Sequence, residues 1–135
     1  MARRSLVLLT CAAALAGVVA ACSKSPAQRF AAGNKYMSRT QYREAIIEYR
    51  NALRANPAFG EARVQLAEAY LAVGDTQNAY REYVRAADLL PQRDDVQVKA
   101  GSFLLVAGRF EDARARAERV LDRYPSNVDA QVLLG

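Results

Sequence analysis

The sequence contains no histidine and no tryptophan, and both of its cysteines, Cys11 and Cys22, fall near its start. No Cys/His metal set and no disulfide framework can be assembled from that inventory. The usual base of a hydrolytic triad is missing with the histidine, and no serine–lysine pair falls at a strained turn to replace it. No glycine-rich phosphate loop occurs. Residues 1–21 hold Arg3 and Arg4 and no acid. The remainder carries 17 Lys+Arg against 14 Asp+Glu, net +3, with both signs interleaved. That is a solvated surface rather than a phosphate-binding stripe, so no nucleic-acid partner is expected.

Residues 1–21 have the order of a secretory signal peptide. Arg3 and Arg4 form the positive start, Leu6 to Val19 the apolar stretch, and small residues lead to Cys22. The sequence is uncharged from Ser5 to Cys22, which also suits an uncleaved anchor. Val19-Ala20-Ala21-Cys22 decides between them, because it resembles the bacterial lipobox, an aliphatic residue and two small ones before a cysteine. The resemblance implies cleavage before Cys22, a diacylglyceryl group on its sulfur and acylation of the new amine. Ordinary cleavage nearby is the alternative. Ser23 in place of an acid after the cysteine implies transfer to the outer membrane, with the chain facing the periplasm. Two or three acyl chains would hold it firmly, since each buried methylene contributes ~0.8 kcal/mol.

Beyond Cys22 the chain repeats. Pro57, Pro91 and Pro125 recur at one constant interval, and around them Ala45, Ala79 and Ala113 fall in register. Gly33, Ala67 and Gly101 align as well, as do Tyr36, Tyr70 and Leu104. Apolar residues recur at helical spacing within each period, which predicts two amphipathic helices per unit. The small residues allow the helices of a pair to approach. Tyr49 and Tyr83 fill the wider gap toward the next unit, and each proline closes a second helix. Gly74 and Gly108 suit the turn within a unit. Ser25, Pro26 and Gln28 form a good helix start, with a capping box.

This skeleton resembles the tetratricopeptide repeat (TPR) family, from Pro26 to the last residue. The resemblance implies an all-α right-handed superhelix, an α-solenoid of antiparallel helix pairs. Its divisions are the signal peptide at 1–21, lipidated Cys22 with a short tether at 22–25, and TPR units at 26–59, 60–93 and 94–127. Residues 128–135 start a fourth, truncated unit. Arg29, Arg63 and Gln97 depart from the large apolar residue the family often has there. Ala117 replaces the aromatic of the third unit, which predicts looser packing. The half unit predicts that the sequence is the N-terminal piece of a longer array; a short protein whose last helix covers the third unit is the alternative.

In the family, first helices line a concave groove. That geometry points Phe30, Asn34, Met37, Val64, Glu68, Leu71, Val98, Ser102 and Leu105 inward, with an apolar centre and Asn34, Glu68 and Lys99 as polar exceptions. Phe30 and Met37 are expected to be the most exposed, although aliphatic residues at such positions also serve as core. An apolar groove suits a helix or peptide of a partner protein. The family's carboxylate clamp does not carry over: Asn34 matches, but Phe30, Gln65 and Asp95 stand where it needs Lys, Asn and Lys, and Lys99 keeps only charge at its Arg site. Asp94-Asp95 and Glu111-Asp112 fall in first turns, where acids complement the helix dipole rather than form a catalytic pair.

The expected function is therefore a non-catalytic scaffold, without cofactor apart from the covalent lipid, anchored in the bacterial envelope and holding a partner protein or peptide. Ala45-Ile46-Ile47-Glu48-Tyr49 running into Asn51-Ala52-Leu53 is most similar to lipoproteins of exosortase or exopolysaccharide export. A self-associating structural array, a glycan- or lipid-handling helper and a pilus or secretin assembly lipoprotein are the alternatives. The oligomeric state is left open.

Overall fold

The computed structural model describes residues 24–135. The signal peptide, Cys22 and Ser23 of the tether lie outside the described residues. Among the described residues seven helices follow one another: α1 Pro26–Met37, α2 Tyr42–Ala55, α3 Gly60–Ala72, α4 Thr76–Leu89, α5 Asp94–Val106, α6 Phe110–Arg123 and α7 Val128–Val132. Each helix packs on the next, and α1 also touches α3. The result is an all-helical solenoid of antiparallel pairs, α1/α2, α3/α4 and α5/α6, with α7 laid on α6.

Local chemistry sets the ends. The Ser25 hydroxyl accepts from the Gln28 amide at 3.2 Å, while Gln28 Oε1 accepts from the Ser25 amide at 2.9 Å, a closed capping box with Pro26 in the first turn. Asp75 starts α4 by accepting from the Asn78 amide at 3.1 Å, and Asn127 starts α7 the same way from Ala130 at 2.9 Å. Helices α2, α4 and α6 are each followed by a single residue and then a proline: Asn56-Pro57, Leu90-Pro91 and Tyr124-Pro125. Acids sit in the first turns of α5 (Asp94, Asp95) and α6 (Glu111, Asp112).

The turns inside the pairs share one backbone conformation. Gly74 has φ 82° and Gly108 φ 74°, and the corresponding position of the first unit is Thr40, at φ 58°. A β-branched residue there holds its Cβ against the backbone, at a cost of about 1–2 kcal/mol. Thr40→Gly removes that strain, while glycine's extra freedom in the unfolded chain returns part of the gain. A net stabilisation of about 0.5–1 kcal/mol is expected, raising the thermal midpoint by a few degrees. A lower midpoint in a thermal melt would refute it.

The buried clusters join neighbouring units as well as the helices of a pair. One buried cluster joins Ala45, Tyr49 and Leu53 of α2 to Ala62, Leu66 and Ala69 of α3. The next joins Tyr83, Ala86 and Ala87 of α4 to Val96 and Ala100 of α5, with Val64 and Ala67 of α3. The last joins Ala117 and Val120 of α6 to Ala130 and Leu133. Helices α3 and α5, covered on two sides, are apolar round most of their circumference, whereas α2, α4 and α6 keep one polar face.

The looser packing expected at Ala117 is corrected. At Gly33 the ring of Tyr49 lies so close that an added methyl would collide with it. At Gly101 no aromatic is present, and the Leu133 side chain stands there instead, 2.7 Å from the same added methyl. Ala117 and Val120 are fully buried. A leucine from the following element fills the space that a tyrosine fills in the first unit.

Candidate functional site

The residues assigned to the groove divide into two groups. Val64 is buried at 8% exposure, and Leu71 packs half-buried on the same cluster. Phe30 and Met37 pack half-buried on the first cluster, and Val98 on the third. Phe30 lies 4.9 Å from the Phe59 ring and 5.9 Å from that of Tyr49, centroid to centroid. Phe30 and Met37 are thus not the open pair expected from sequence. The loop between α2 and α3 supplies the Phe59 that covers Phe30. Leu105, at 37% exposure, keeps an open apolar side chain.

Apart from Leu105, the apolar residues assigned to this face are buried or half-buried, so the open apolar centre expected for it is corrected. Asn34, Glu68 and Ser102 occupy one repeat position along α1, α3 and α5. The first two meet a tyrosine of the helix that follows. The Tyr49 hydroxyl donates to Asn34 Oδ1 at 2.7 Å, and the Tyr83 hydroxyl donates to Glu68 Oε1. In the third unit Ala117 has no hydroxyl to offer, and the Ser102 hydroxyl turns back to the Val98 carbonyl at 3.1 Å. The groove-facing polar residues therefore latch the tyrosines that fill the core. Burial pushes the Tyr83 phenol up, and its bond to the Glu68 carboxylate adds to the shift.

Between α3 and α5 this face opens into a cavity of about 180 Å³, lined by Val64, Glu68, Tyr83, Asp95, Val96 and Lys99. The Lys99 ammonium stands 5.9 Å from the centroid of the Tyr83 ring, in cation–π range. Asp95 is held by Arg93 through two bonds of 2.8 and 2.6 Å, which keeps its carboxyl below the usual range. Of the clamp positions, Asn34 has its carbonyl taken by Tyr49, Phe30 is packed, and Asp95 is paired. The cavity thus offers two acids and one cation beside an aromatic wall, a surface suited to a polar segment of extended chain. Tyr83, Asp95 and Val96 are the lining residues that the sequence did not assign to the groove. The available signal was that Tyr83 follows Glu68 at the same offset as Tyr49 follows Asn34.

Two further positions, again equivalent in the repeat, tie first to second helices. Arg63 donates to Glu82 at 2.7 Å and to the Pro57 carbonyl at 2.8 Å. In the third unit the polarity is exchanged: Gln97 stands for Arg63 and Arg116 for Glu82, joined by Arg116 Nη1 donating to Gln97 Oε1 at 3.1 Å. Arg63 and Gln97 are two of the departures noted in the sequence; the third is Arg29.

Two tetratricopeptide repeat family models match the chain, one over residues 30–94 and one over 71–135. The chain belongs to the tetratricopeptide repeat family. The TPR fold is also seen in solved structures. The first TPR of Spaghetti (RPAP3), bound to the HSP90 peptide SRMEEVD, is 25% identical with a TM-score of 0.65, over 82% of this chain and 87% of that one. The second TPR domain of human RPAP3, in complex with the HSP70 peptide SGPTIEEVD, is 23% identical with a TM-score of 0.64, over 82% and 95%. The P58(IPK) TPR domain is 21% identical with a TM-score of 0.68, over 81% of this chain and 31% of that one. No curated protein sequence matches.

Proposed function

We propose that this TPR chain is a non-catalytic scaffold that holds a peptide or helix of a partner protein along the face formed by α1, α3 and α5. The observation that carries the reading is the cavity between α3 and α5, where Glu68, Tyr83 and Lys99 present polar and aromatic groups on a rigid helical frame. A related TPR domain, that of Spaghetti, holds a peptide. Here Asp95 and Phe30 stand where a carboxylate clamp needs lysine, so the proposed segment is internal or helical rather than a free C-terminus.

The reading extends to the envelope. Cleavage before Cys22 and acylation of its sulfur anchor the chain in the outer membrane, facing the periplasm, with Ser23, Lys24 and Ser25 as the whole tether. Three residues span at most about 11 Å, so the first unit rides close to the bilayer. Service in exopolysaccharide or exosortase-linked export is the proposed setting. A second reading, self-association, is favoured by Leu105, Phe110, Val132 and Leu134, exposed apolar residues around a cavity of about 430 Å³.

Site-specific photo-crosslinking in cells tests the groove. Probes at Lys99 and Leu105 should capture one partner that a probe at exposed Arg81 does not. Equal capture at all three would move the interface off this face, and capture of the chain by itself from Leu105 would favour self-association. Mass spectrometry of the mature N-terminus tests the anchor, and an N-terminus other than acylated Cys22 would contradict it.

A further inference from the structure

The first and second units carry the same cavity with different charge balance. One, of about 300 Å³, is lined by Lys24, Arg29, Asn51, Arg54 and Ala55. The other, of about 240 Å³, is lined by Pro57, Arg63, Arg85, Asp88 and Leu89. Arg63, Arg85, Asp88 and Leu89 are the repeat equivalents of Arg29, Asn51, Arg54 and Ala55, so the two cavities are one feature of the repeat. In the second unit every charge is engaged. Arg63 donates to Glu82 at 2.7 Å, Arg85 reaches the other oxygen of Glu82 at 3.5 Å, and Asp88 receives Arg116 at 2.5 Å.

The first unit lacks that balance. Arg54 replaces the acid, and its described bond is to the neutral Asn51 Oδ1, at 3.0 Å. Lys24 and Arg29 both lean on one carboxylate, Glu48, at 3.8 and 3.6 Å, too long for hydrogen bonds. Glu48 Oε2 is buried without a hydrogen-bond partner among the described residues. Among those residues, Lys24 and Arg29 therefore share one acid, and Arg54 has no acidic partner. With Asn51 Oδ1 already occupied by Arg54, the side-chain groups of the lining left to a guest are donors: two guanidinium groups, an ammonium and the Asn51 amide. A ligand must bring several acceptor oxygens and negative charge, which a phosphate group does and a sugar or a cation does not.

We propose that this cavity is a binding site for a phosphate-bearing anion, with Lys24, Arg29 and Arg54 as its cationic contacts. Lys24 lies two positions after Cys22, which makes a lipid headgroup the natural source; that choice rests on the proposed acylation, whereas the site does not. A phospholipid headgroup and free phosphate share the phosphoryl oxygens that the three cations would hold.

The test uses the isotope-labelled full chain in nanodiscs, following the side-chain Nε–H signals of its arginines by NMR. In neutral phosphatidylcholine discs, inorganic phosphate at millimolar concentration should shift Arg29 and Arg54 and leave Arg85 in place. Discs containing phosphatidylglycerol should produce the shift without added phosphate if the headgroup is the source; a response to phosphate alone assigns the site to a soluble anion. Arg54→Asp, which restores the second-unit residue at an exposed position, should weaken the response about tenfold, with Arg54→Gln intermediate and the thermal midpoint nearly unchanged. No shift with either probe overturns the site. So does an equal response of Arg85, or an equal response to acetate. Because the readout does not depend on Cys22, a correctly acylated chain with silent Arg29 and Arg54 refutes the site alone, and a responsive chain without acylation refutes the anchor alone.

Discussion

Tyr49→Ala is expected to lower the folding stability by about 3–5 kcal/mol, the range for emptying an aromatic site in a packed core. Tyr49 is fully buried, with its ring against Gly33, Phe30 and the cluster that ties α2 to α3. No neighbour can close the space without moving a helix, because the first unit has no counterpart of Leu133 to enter it. In a solenoid the loss falls on the interface between units, so the first unit should detach at a lower denaturant concentration than the other two. Hydrogen exchange would read this as lost protection in α1 and α2 with α5 and α6 retained. A uniform loss from α1 to α6 would show that the array unfolds as one body.

Tyr49→Phe separates the ring from its hydroxyl. It keeps the packing and loses the bond to Asn34, at about 1 kcal/mol or less because Asn34 is exposed and regains water. It also changes the alkaline limb of stability. Burial pushes the Tyr49 phenol from 10.0 up to about 12. An unfolded tyrosine ionises near pH 10 while the folded one stays neutral. Its stabilisation is therefore intact below pH 10 and is lost as pH rises from 10 to about 12, with a slope near about 1.4 kcal/mol per pH unit. Urea midpoints measured from neutral to strongly alkaline pH should fall less steeply in Tyr49→Phe than in the wild type. Parallel curves would mean that the buried phenol ionises freely.

The second large effect is at the exchanged pair of the third unit. Gln97 is fully buried, and its amide donates to the Ala87 carbonyl at 2.6 Å and the Leu90 carbonyl at 3.2 Å. Its Oε1 accepts from Arg116, which is 8% exposed and also reaches Asp88 at 2.5 Å. Gln97→Arg writes the residue of the first two units into this position and sets two guanidinium groups against each other where water is scarce. A loss of about 3–5 kcal/mol is expected, as for other uncompensated buried charges. Adding Arg116→Glu recreates the Arg63–Glu82 pairing and should recover most of it, leaving the double variant within about 1–2 kcal/mol of the wild type. Asp88, left without Arg116, is exposed enough to be solvated. Chemical denaturation of the two single variants and the double variant measures the coupling. Additive losses would show that the exchange of charge between units carries no pairing energy.

The fold was legible because its signals are local and repeated. A proline in every unit, small residues at fixed offsets and helical apolar periods each report a backbone event close to themselves in the chain. Thr40 shows the limit of that reading: the turn was visible at Gly74 and Gly108, but only the backbone placed a threonine in the same left-handed conformation. The groove was less legible. Periodicity states which side of a helix a residue occupies, not how deep it lies once a second helix covers that side. Val64 and Leu71 entered the core for this reason, and Phe30 was closed over by Phe59, a loop residue with no periodic signal.

The sequence by itself determined the repeat, the helix pairs, the turn positions and the membership in the TPR family, because these follow from spacing along the chain. Only the tertiary structure decided which charges are spent. Arg29, Arg63 and Gln97 look alike as departures from a pattern. Once packed, Arg63 is neutralised by Glu82, and Gln97 is the acceptor for Arg116. Arg29 instead shares Glu48 with Lys24, beside an Arg54 whose described partner is the neutral Asn51. A charge is neutralised by what stands within a few ångströms of it, and that distance is set by the stacking of helices far apart in sequence.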